Sequence, residues 1–382
     1  MDTGNPEIDL PAVQAGVNTN EIVRLQSRDA MNTLLSKGGL LLATATLSIF
    51  GLAQPGVGQT LTEFPLARAG SSPIGVAVGP GGDLWFTEAS GAIGRISKEG
   101  VLSEVSVPTP YAEPTGIAAG PDGNIWFTGA DYDTGTVSLI GRITPAGVIK
   151  EFQLSGLSIP CEITAGFEGD LWFTECNINS NAIGRITPEG VVTEFGLPTS
   201  GLGYYPSGIA SGPDGNIWFT EPIGRIGRIT PEGVITEFQV PTSPSGPTLI
   251  TAGPDGNLWF TEESGRIGRI TTEGAITEFE IPTPKSYPYG IASGPDGNLW
   301  FTERYGNKIG HITTDGAVTE IPITVSAPAG IATAPDGTIW FAELGGNRIG
   351  RIQLAPIGPE PPTRVEGTRG QPITVGPRKT GS

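Results

Sequence analysis

Gly290-Ile-Ala-Ser-Gly-Pro-Asp-Gly-Asn-Leu-Trp-Phe-Thr-Glu303 is written seven times along the chain with small changes, and its repetition decides the fold. All seven tryptophans occupy the same place in the unit, at Trp85, Trp126, Trp172, Trp218, Trp259, Trp300 and Trp340, so successive spacings are 41, 46, 46, 41, 41 and 40 residues. A period in the low forties accommodates one four-stranded sheet with tight turns, the blade of a β-propeller. Helical repeats of that length need unbroken 3.6-residue periodicity, which 58 glycines and 35 prolines in 382 residues exclude.

Each unit supplies four strands. Gly208-Ile-Ala-Ser-Gly212 runs into Pro213-Asp-Gly-Asn216 and returns through Ile217-Trp-Phe-Thr-Glu221. An Asp-Gly turn between β-prone runs is a strong hairpin signal, because glycine accepts positive φ. A second hairpin follows, Ile226-Gly-Arg-Ile-Thr230, Pro231-Glu-Gly233 and Val234-Ile-Thr-Glu-Phe238, before Pro241-Thr242 leads into the next unit. The last unit lacks a fourth Thr-Glu-Phe strand, whereas Thr60-Leu-Thr-Glu-Phe-Pro65 stands alone before the first. The expected fold is therefore an all-β, seven-bladed β-propeller over residues 58–354, four strands per blade, closed by the N-terminal strand. Closure removes the open edge that invites aggregation.

The two ends fall outside this pattern. Residues 1–30 read as a polar leader or a misassigned extension. Residues 31–53 resemble a secretory signal, with Lys37, an apolar run from Gly38 to Ala53 and small residues before Gln54. The expected location is secreted or periplasmic; the alternative is a membrane anchor formed by residues 38–53, short against the usual span of about 20. Residues 355–382 are rich in Pro and Gly without apolar alternation, and read as a disordered tail. A net charge of −17 argues against a nucleic-acid partner. The reading is of a monomer that takes a neutral or cationic small molecule or peptide at the mouth of its channel.

Catalytic parts are few. With one histidine, His311, no multi-histidine metal site can form, and that histidine stands where the other units have Ile-Gly-Arg. Those arginines, Arg95, Arg142, Arg185, Arg228, Arg269 and Arg351, are expected to pair structurally with carboxylates of the Thr-Glu series. Glu88, Glu175, Glu221, Glu262, Glu303 and Glu343 end the Trp-Phe strands, either paired with a neighbouring arginine or forming an acidic ring that suits a hard cation. The tryptophans are expected to wedge between blades as core. Cys161 and Cys176 flank one hairpin; if Glu168 and Gly169 are its two turn residues, paired positions sum to 337 and the cysteines face each other, while a bulged turn of three shifts the register by one. In an exported protein they are expected to form a disulfide.

Gly-Ile-x-x-Gly-Pro-Asp-Gly-Asn-x-Trp-Phe-Thr-Glu, followed by Ile-Gly-Arg-Ile-Thr and Thr-Glu-Phe, resembles the virginiamycin B lyase (streptogramin B lyase) family over about residues 60 to 354. The resemblance implies a seven-bladed propeller and, in active members, Mg-dependent linearisation of cyclic depsipeptides by elimination: a base takes the proton α to a carbonyl, the metal stabilises the enolate, and a carboxylate leaves. The family's Pro-His-Ala-Ile at the start of blade six is Pro288-Tyr289-Gly290-Ile291 here, and its Glu-Pro-His-Gly at the start of blade seven is Ala327-Pro328-Ala329-Gly330. Both histidines and that glutamate are replaced, at Tyr289, Ala329 and Ala327. Glu343 matches the acidic residue after the blade-seven Trp-Phe and is the residue the resemblance offers to Mg2+. The expected function is ligand or partner binding at the channel through Tyr289, Tyr287, Tyr204 and Tyr205; the alternative is a lyase working with substituted residues.

Overall fold

The computed structural model describes residues 60–155, 158–177, 180–198, 205–323 and 327–354. The expected leader, signal segment and tail, and Tyr204, lie outside the described residues. Among the described residues the strands form seven four-stranded antiparallel sheets, in six of which the strands follow chain order. The seventh contains Pro328–Thr333, Thr338–Glu343 and Arg348–Gln353, and its outer strand is Thr60–Pro65, registered from Thr60 opposite Gln353 to Pro65 opposite Arg348. The seven first strands contact one another in sequence, and the last, Pro328–Thr333, meets the first, Pro73–Val78. The ring is therefore closed at both its inner and its outer edge.

The hairpins follow from their turn residues, with one correction. Gly212 N donates to Asn216 O at 2.8 Å, so the loop is the three residues Pro213-Asp214-Gly215, not a two-residue Asp-Gly turn. Proline fixes φ at the first position, and Gly215, at φ 81°, takes the left-handed position that closes a bulged turn. The second hairpin repeats the shape, with Thr230 N bonded to Val234 O at 3.0 Å and Gly233 at φ 91°.

The Trp-Phe strand is buried on both faces because a blade lies against each of them. Trp and Phe are adjacent, so they point opposite ways. Each Trp enters the wall shared with the following blade, where it meets that blade's Phe: Trp218 with Phe260, Trp300 with Phe341, and across the closure Trp340 with Phe86. All seven walls are built this way. Each fully buried ring contributes about 2–3 kcal/mol by area. The glycine of Ile-Gly-Arg provides the space for the Phe ring, since a Cβ on Gly227 would sit 2.0 Å from Phe219.

The arginines stack within this architecture. Arg228 lies 5.5 Å from the Trp218 ring and 5.6 Å from Phe238, and Trp218 and Phe238 are themselves 5.6 Å apart. Its Nη1 then reaches the next blade, donating to Thr272 O at 2.9 Å. Arg95, Arg142, Arg185 and Arg269 make the same bridge.

Candidate functional site

The arginines do not pair with the Thr-Glu carboxylates. Arg95, Arg142, Arg185 and Arg269 face Asp83, Asp122, Asp170 and Asp255; Asp122 and Asp255 lie within the first turn, and Asp83 and Asp170 directly follow it. The reason is parity: Arg228 lies opposite Trp218, and Glu221, three residues on from Trp218, projects from the other face. The turn aspartate also accepts from the Trp indole, as Asp214 does from Trp218 Nε1 at 3.0 Å. His311 takes the arginine's place, with Nε2 3.0 Å from Asp296 Oδ2 and its ring edge-on to Trp300.

The six strand-end glutamates form no ring of ligands. All are fully buried, and each enclosed carboxyl lies within its own blade. Fourth-strand glutamates approach them, Glu237 beside Glu221, Glu278 beside Glu262, Glu320 beside Glu303 and Glu63 beside Glu343. Burial, then the neighbouring carboxylate, pushes Glu221 and Glu303 up to about 7 and Glu262 and Glu343 up to about 8, against the opposing effect of Arg225, Lys308, Arg266 and Arg348. Several of the fourth-strand glutamates also tie blades together, as Glu278 does by accepting from Thr242 Oγ1 at 3.0 Å.

The positions that the family resemblance ties to catalysis do not supply a ligand set for Mg2+. Glu343 is fully buried beside Glu63 and Arg348, and burial raises its carboxyl well above the usual range. Ala329 is 1% exposed in the wall between blades seven and one, its carbonyl accepting from Thr302 Oγ1 at 2.7 Å. Ala327 has φ 60° and is held by Asn307 Oδ1 at 3.0 Å. Among the described residues no group of three or more His, Cys, Asp or Glu is placed to hold a metal ion.

Residues that depart from the repeat converge at the channel. First strands carry Pro-x-Gly, as in Pro114-Thr115-Gly116, because a Cβ on Gly116 would sit 2.4 Å from Cys161 O and 2.7 Å from Glu162 Cα of the next blade. Blade three replaces that glycine with Glu162, and the adjoining first strand of blade four is cut to Ile209–Ser211. Glu162 is half-buried, and burial alone pushes its carboxyl up to about 7; among the described residues the carboxyl has no hydrogen bond or ion pair. Its charge acts on Tyr132, from the blade-two loop, and on Tyr289 of blade six.

Burial, then the Glu162 charge, raises Tyr289 far above its ordinary value, while the Arg304 guanidinium, 5.4 Å over the Tyr289 ring, opposes the rise. Arg304 has no carboxylate partner among the described residues, and its Nε is buried without a hydrogen bond. Tyr132 is pushed up to about 12 by burial; its hydroxyl lies 2.9 Å from Thr115 Oγ1. Beside Arg304, Tyr287 donates to Glu263 and packs at 4.7 Å against the exposed Tyr305. Tyr205 is half-buried in the loop before the first strand of blade four. Of the residues singled out from sequence, Tyr289 and Tyr287 thus belong to the constellation. Glu162, Arg304 and Tyr132 were missed, although Glu162 is visible as the one acid at the Pro-x-Gly glycine position.

Cys161, next to Glu162, is joined to Cys176 as a disulfide, with Cα atoms 6.0 Å apart. The expected register is corrected. Gly166 N bonds Asp170 O, a three-residue loop, so Ile163 pairs with Phe173, and a bulge then brings Pro160 opposite Glu175. Cys161 falls within that bulge, and Cys176 N donates to Ile159 O at 2.9 Å. The sulfurs meet although the cysteines are not paired across the ladder.

A sequence model of the virginiamycin B lyase family matches residues 48–243 and 206–380. Selenomethionine-substituted virginiamycin B lyase from Staphylococcus aureus superposes with a TM-score of 0.72 at 43% identity, over 78% of this chain and 100% of that one. A catalytically inactive histidine-to-alanine variant of the Staphylococcus aureus enzyme, crystallised with quinupristin, gives a TM-score of 0.71 at 43% identity, over 78% of this chain and all (100%) of that one. Virginiamycin B lyase from Bordetella bronchiseptica is 46% identical over 54 residues, a segment that is 14% of this chain and spans 17% of that protein.

Proposed function

The chain belongs to the virginiamycin B lyase family, and from that premise we propose that it is an exported propeller that binds a peptide-like ligand at the channel mouth bounded by Glu162, Tyr132, Tyr289 and Arg304. The observation that carries this reading is the convergence of these four departures from the repeat. They offer a carboxyl, two aromatic walls and a guanidinium without a carboxylate partner, the mixture of apolar surface and few polar groups that fixes small ligands. The single histidine is engaged with Asp296, away from this mouth. The Cys161–Cys176 bond and the signal-like segment support a secreted or periplasmic location.

A second reading, elimination with substituted residues, has one observation in its favour: burial places Glu162 near the pKa a general base needs at neutral pH. Quinupristin separates the two. Purified protein is incubated with it, with and without Mg2+, while calorimetry follows binding and mass spectrometry follows the linear product. Binding without product is expected. Turnover abolished by Glu162→Gln would move the protein to the second reading, and neither binding nor turnover would remove both.

A further inference from the structure

One turn, at the far end of the first strands from the channel mouth, breaks the repeat. The residue after the glycine that ends the first strand is proline in Pro80, Pro121, Pro213, Pro254 and Pro295, and in blade seven Pro335 follows Ala334; blade three has Phe167 there. Phe167 is 58% exposed, unusual for so large an apolar ring. It borders an open pocket of about 260 Å3 in the seam between blades three and four, lined also by Trp172, Arg185, Ile217 and Pro231. The next residue departs as well. Asp122, Asp214, Asp255 and Asp296 each accept from the indole of their own blade's tryptophan, whereas blade three has Glu168 at that position. Trp172 is only 4% exposed, yet its indole N–H has no hydrogen bond among the described residues. A Cβ on Gly166 would sit 2.7 Å from that Nε1, so the unpartnered donor lies at the turn that carries Phe167.

We propose that this seam docks a proline-containing peptide segment that carries a basic residue, with a proline ring against Phe167, a peptide carbonyl on Trp172 Nε1 and the cation on Glu168. A buried indole N–H ordinarily finds an acceptor, and a polyproline segment offers carbonyls that make no internal hydrogen bonds, together with rings that pack on aromatic walls. The charges at the rim choose the sign of the partner. Arg185, the cation of the pocket lining, is already engaged: it lies 5.5 Å over the Trp172 ring and 3.6 Å from Asp170 Oδ2, and it donates to Pro231 O at 3.3 Å. Glu168 is exposed and has no hydrogen bond or ion pair among the described residues, and Glu232, exposed beside Pro231, adds charge of the same sign. A cation brought to Glu168 forms a charge-assisted bond that no side chain of the seam supplies. The site is separate from the channel mouth, because Gly166 follows the first strand Pro160–Ala165 at the opposite end from Pro160.

The test follows the fluorescence anisotropy of labelled decapeptides titrated with the full chain: one proline-rich with a single arginine, one with alanine for every proline, and one with citrulline for the arginine. The proline–arginine peptide is expected to bind, the alanine peptide about tenfold more weakly and the citrulline peptide several-fold more weakly. Phe167→Pro installs the residue of the other blades, so it should keep the thermal transition while losing about tenfold in affinity, and Phe167→Ser should show the same loss. Glu168→Gln should erase the advantage of arginine over citrulline. Absence of binding, equal binding of the alanine peptide, or unchanged binding by both Phe167 variants overturns the inference. Sedimentation of the wild type and Phe167→Pro guards against a different occupant: a wild-type dimer that the variant dissolves, with no peptide bound, assigns the seam to a second copy of the chain and overturns the inference too.

Discussion

The walls between blades and the mouth of the channel obey opposite rules. In the walls the same residue does the same work in blade after blade: Trp against the next blade's Phe and glycine making room for that Phe in all seven, Thr bonding a neighbouring strand in six. At the mouth, Glu162 stands where most blades have glycine, Tyr132 belongs to a blade-two loop, and Tyr289 and Arg304 occupy positions that differ from blade to blade. The mouth leaves the Glu162 carboxyl and the Arg304 Nε without a hydrogen bond among the described residues, as the blade interiors leave the buried carboxyl oxygens of Glu221 and Glu343. Stability is therefore spread around the ring, and specificity gathers where the repeat is broken.

The largest break in this comparison comes from opening the ring. Deleting Thr60–Pro65 removes the outer strand of blade seven and with it Phe64, which lies 5.5 Å from Trp340 and under Arg351. Phe64 is partly buried, so its loss accounts for only part of the effect; the paired outer strand goes with it and an open edge is added. More than about 5 kcal/mol is expected to be lost, read as a collapse of the thermal transition. An unchanged melting temperature would disprove the latch.

A single methyl group is the next test. Gly227→Ala places a Cβ 2.0 Å from the fully buried Phe219 ring, and neither ring nor backbone has space to withdraw. A loss of about 3 kcal/mol is expected by denaturant unfolding. A much smaller loss would show that the walls tolerate repacking.

What the sequence disclosed follows the same division. Blade number, Trp placement and closure were legible because one constraint was repeated seven times and any accident was averaged away. Pairings within a blade were less so. The Arg partners were misassigned because Trp218 and Glu221 are three apart and fall on opposite faces, and the cysteine register was displaced because a three-residue turn and a bulge both intervene. Buried pairs such as Glu262 with Glu278 lie on separate strands and surface only when the blade is assembled. Tyr289 was found through family resemblance, but Arg304 and Tyr132 follow no pattern in the sequence.

Reducing the Cys161–Cys176 bond tests how far the mouth depends on a covalent tie. The bond closes a loop of sequence separation 15, for which loop entropy gives about 3 kcal/mol. The Cys161→Ser, Cys176→Ser double variant is expected to lower stability by about that amount. It should also weaken any binding of quinupristin, because Glu162 adjoins the bond. Loss of stability with unchanged quinupristin affinity would show that the mouth is positioned by the walls alone.

The blade-interior carboxyls give a shallower, pH-dependent effect. Folding raises Glu221, Glu262, Glu303 and Glu343 from 4.5 to about 7 or 8, so the protonated form belongs to the folded state. Their contribution is fully present below about pH 4.5 and is lost as pH rises through 7 to 8. Urea midpoints measured from pH 5 to 9 should fall, and Glu262→Gln should make the decline less steep. A flat profile would show that Arg225, Arg266, Lys308 and Arg348 fully compensate the charges.

The smallest expected effect tests the mouth most directly. If Glu162 serves a ligand and not the fold, removing its charge should not destabilise the protein. Its folded pKa of about 7 lies above the ordinary carboxylate value, so the sign matches that of the blade carboxyls: protonated and harmless below pH 4.5, increasingly costly as pH rises through 7. Glu162→Gln keeps the size and removes the charge. At pH 5 its stability should differ little from wild type, whereas at pH 8.5 it should be higher by about 1 kcal/mol. A residue retained for packing would give the opposite result, since its replacement lowers stability at every pH. Chemical denaturation of both proteins at the two pH values separates these outcomes, and a loss at pH 8.5 would return Glu162 to the structural residues of the ring.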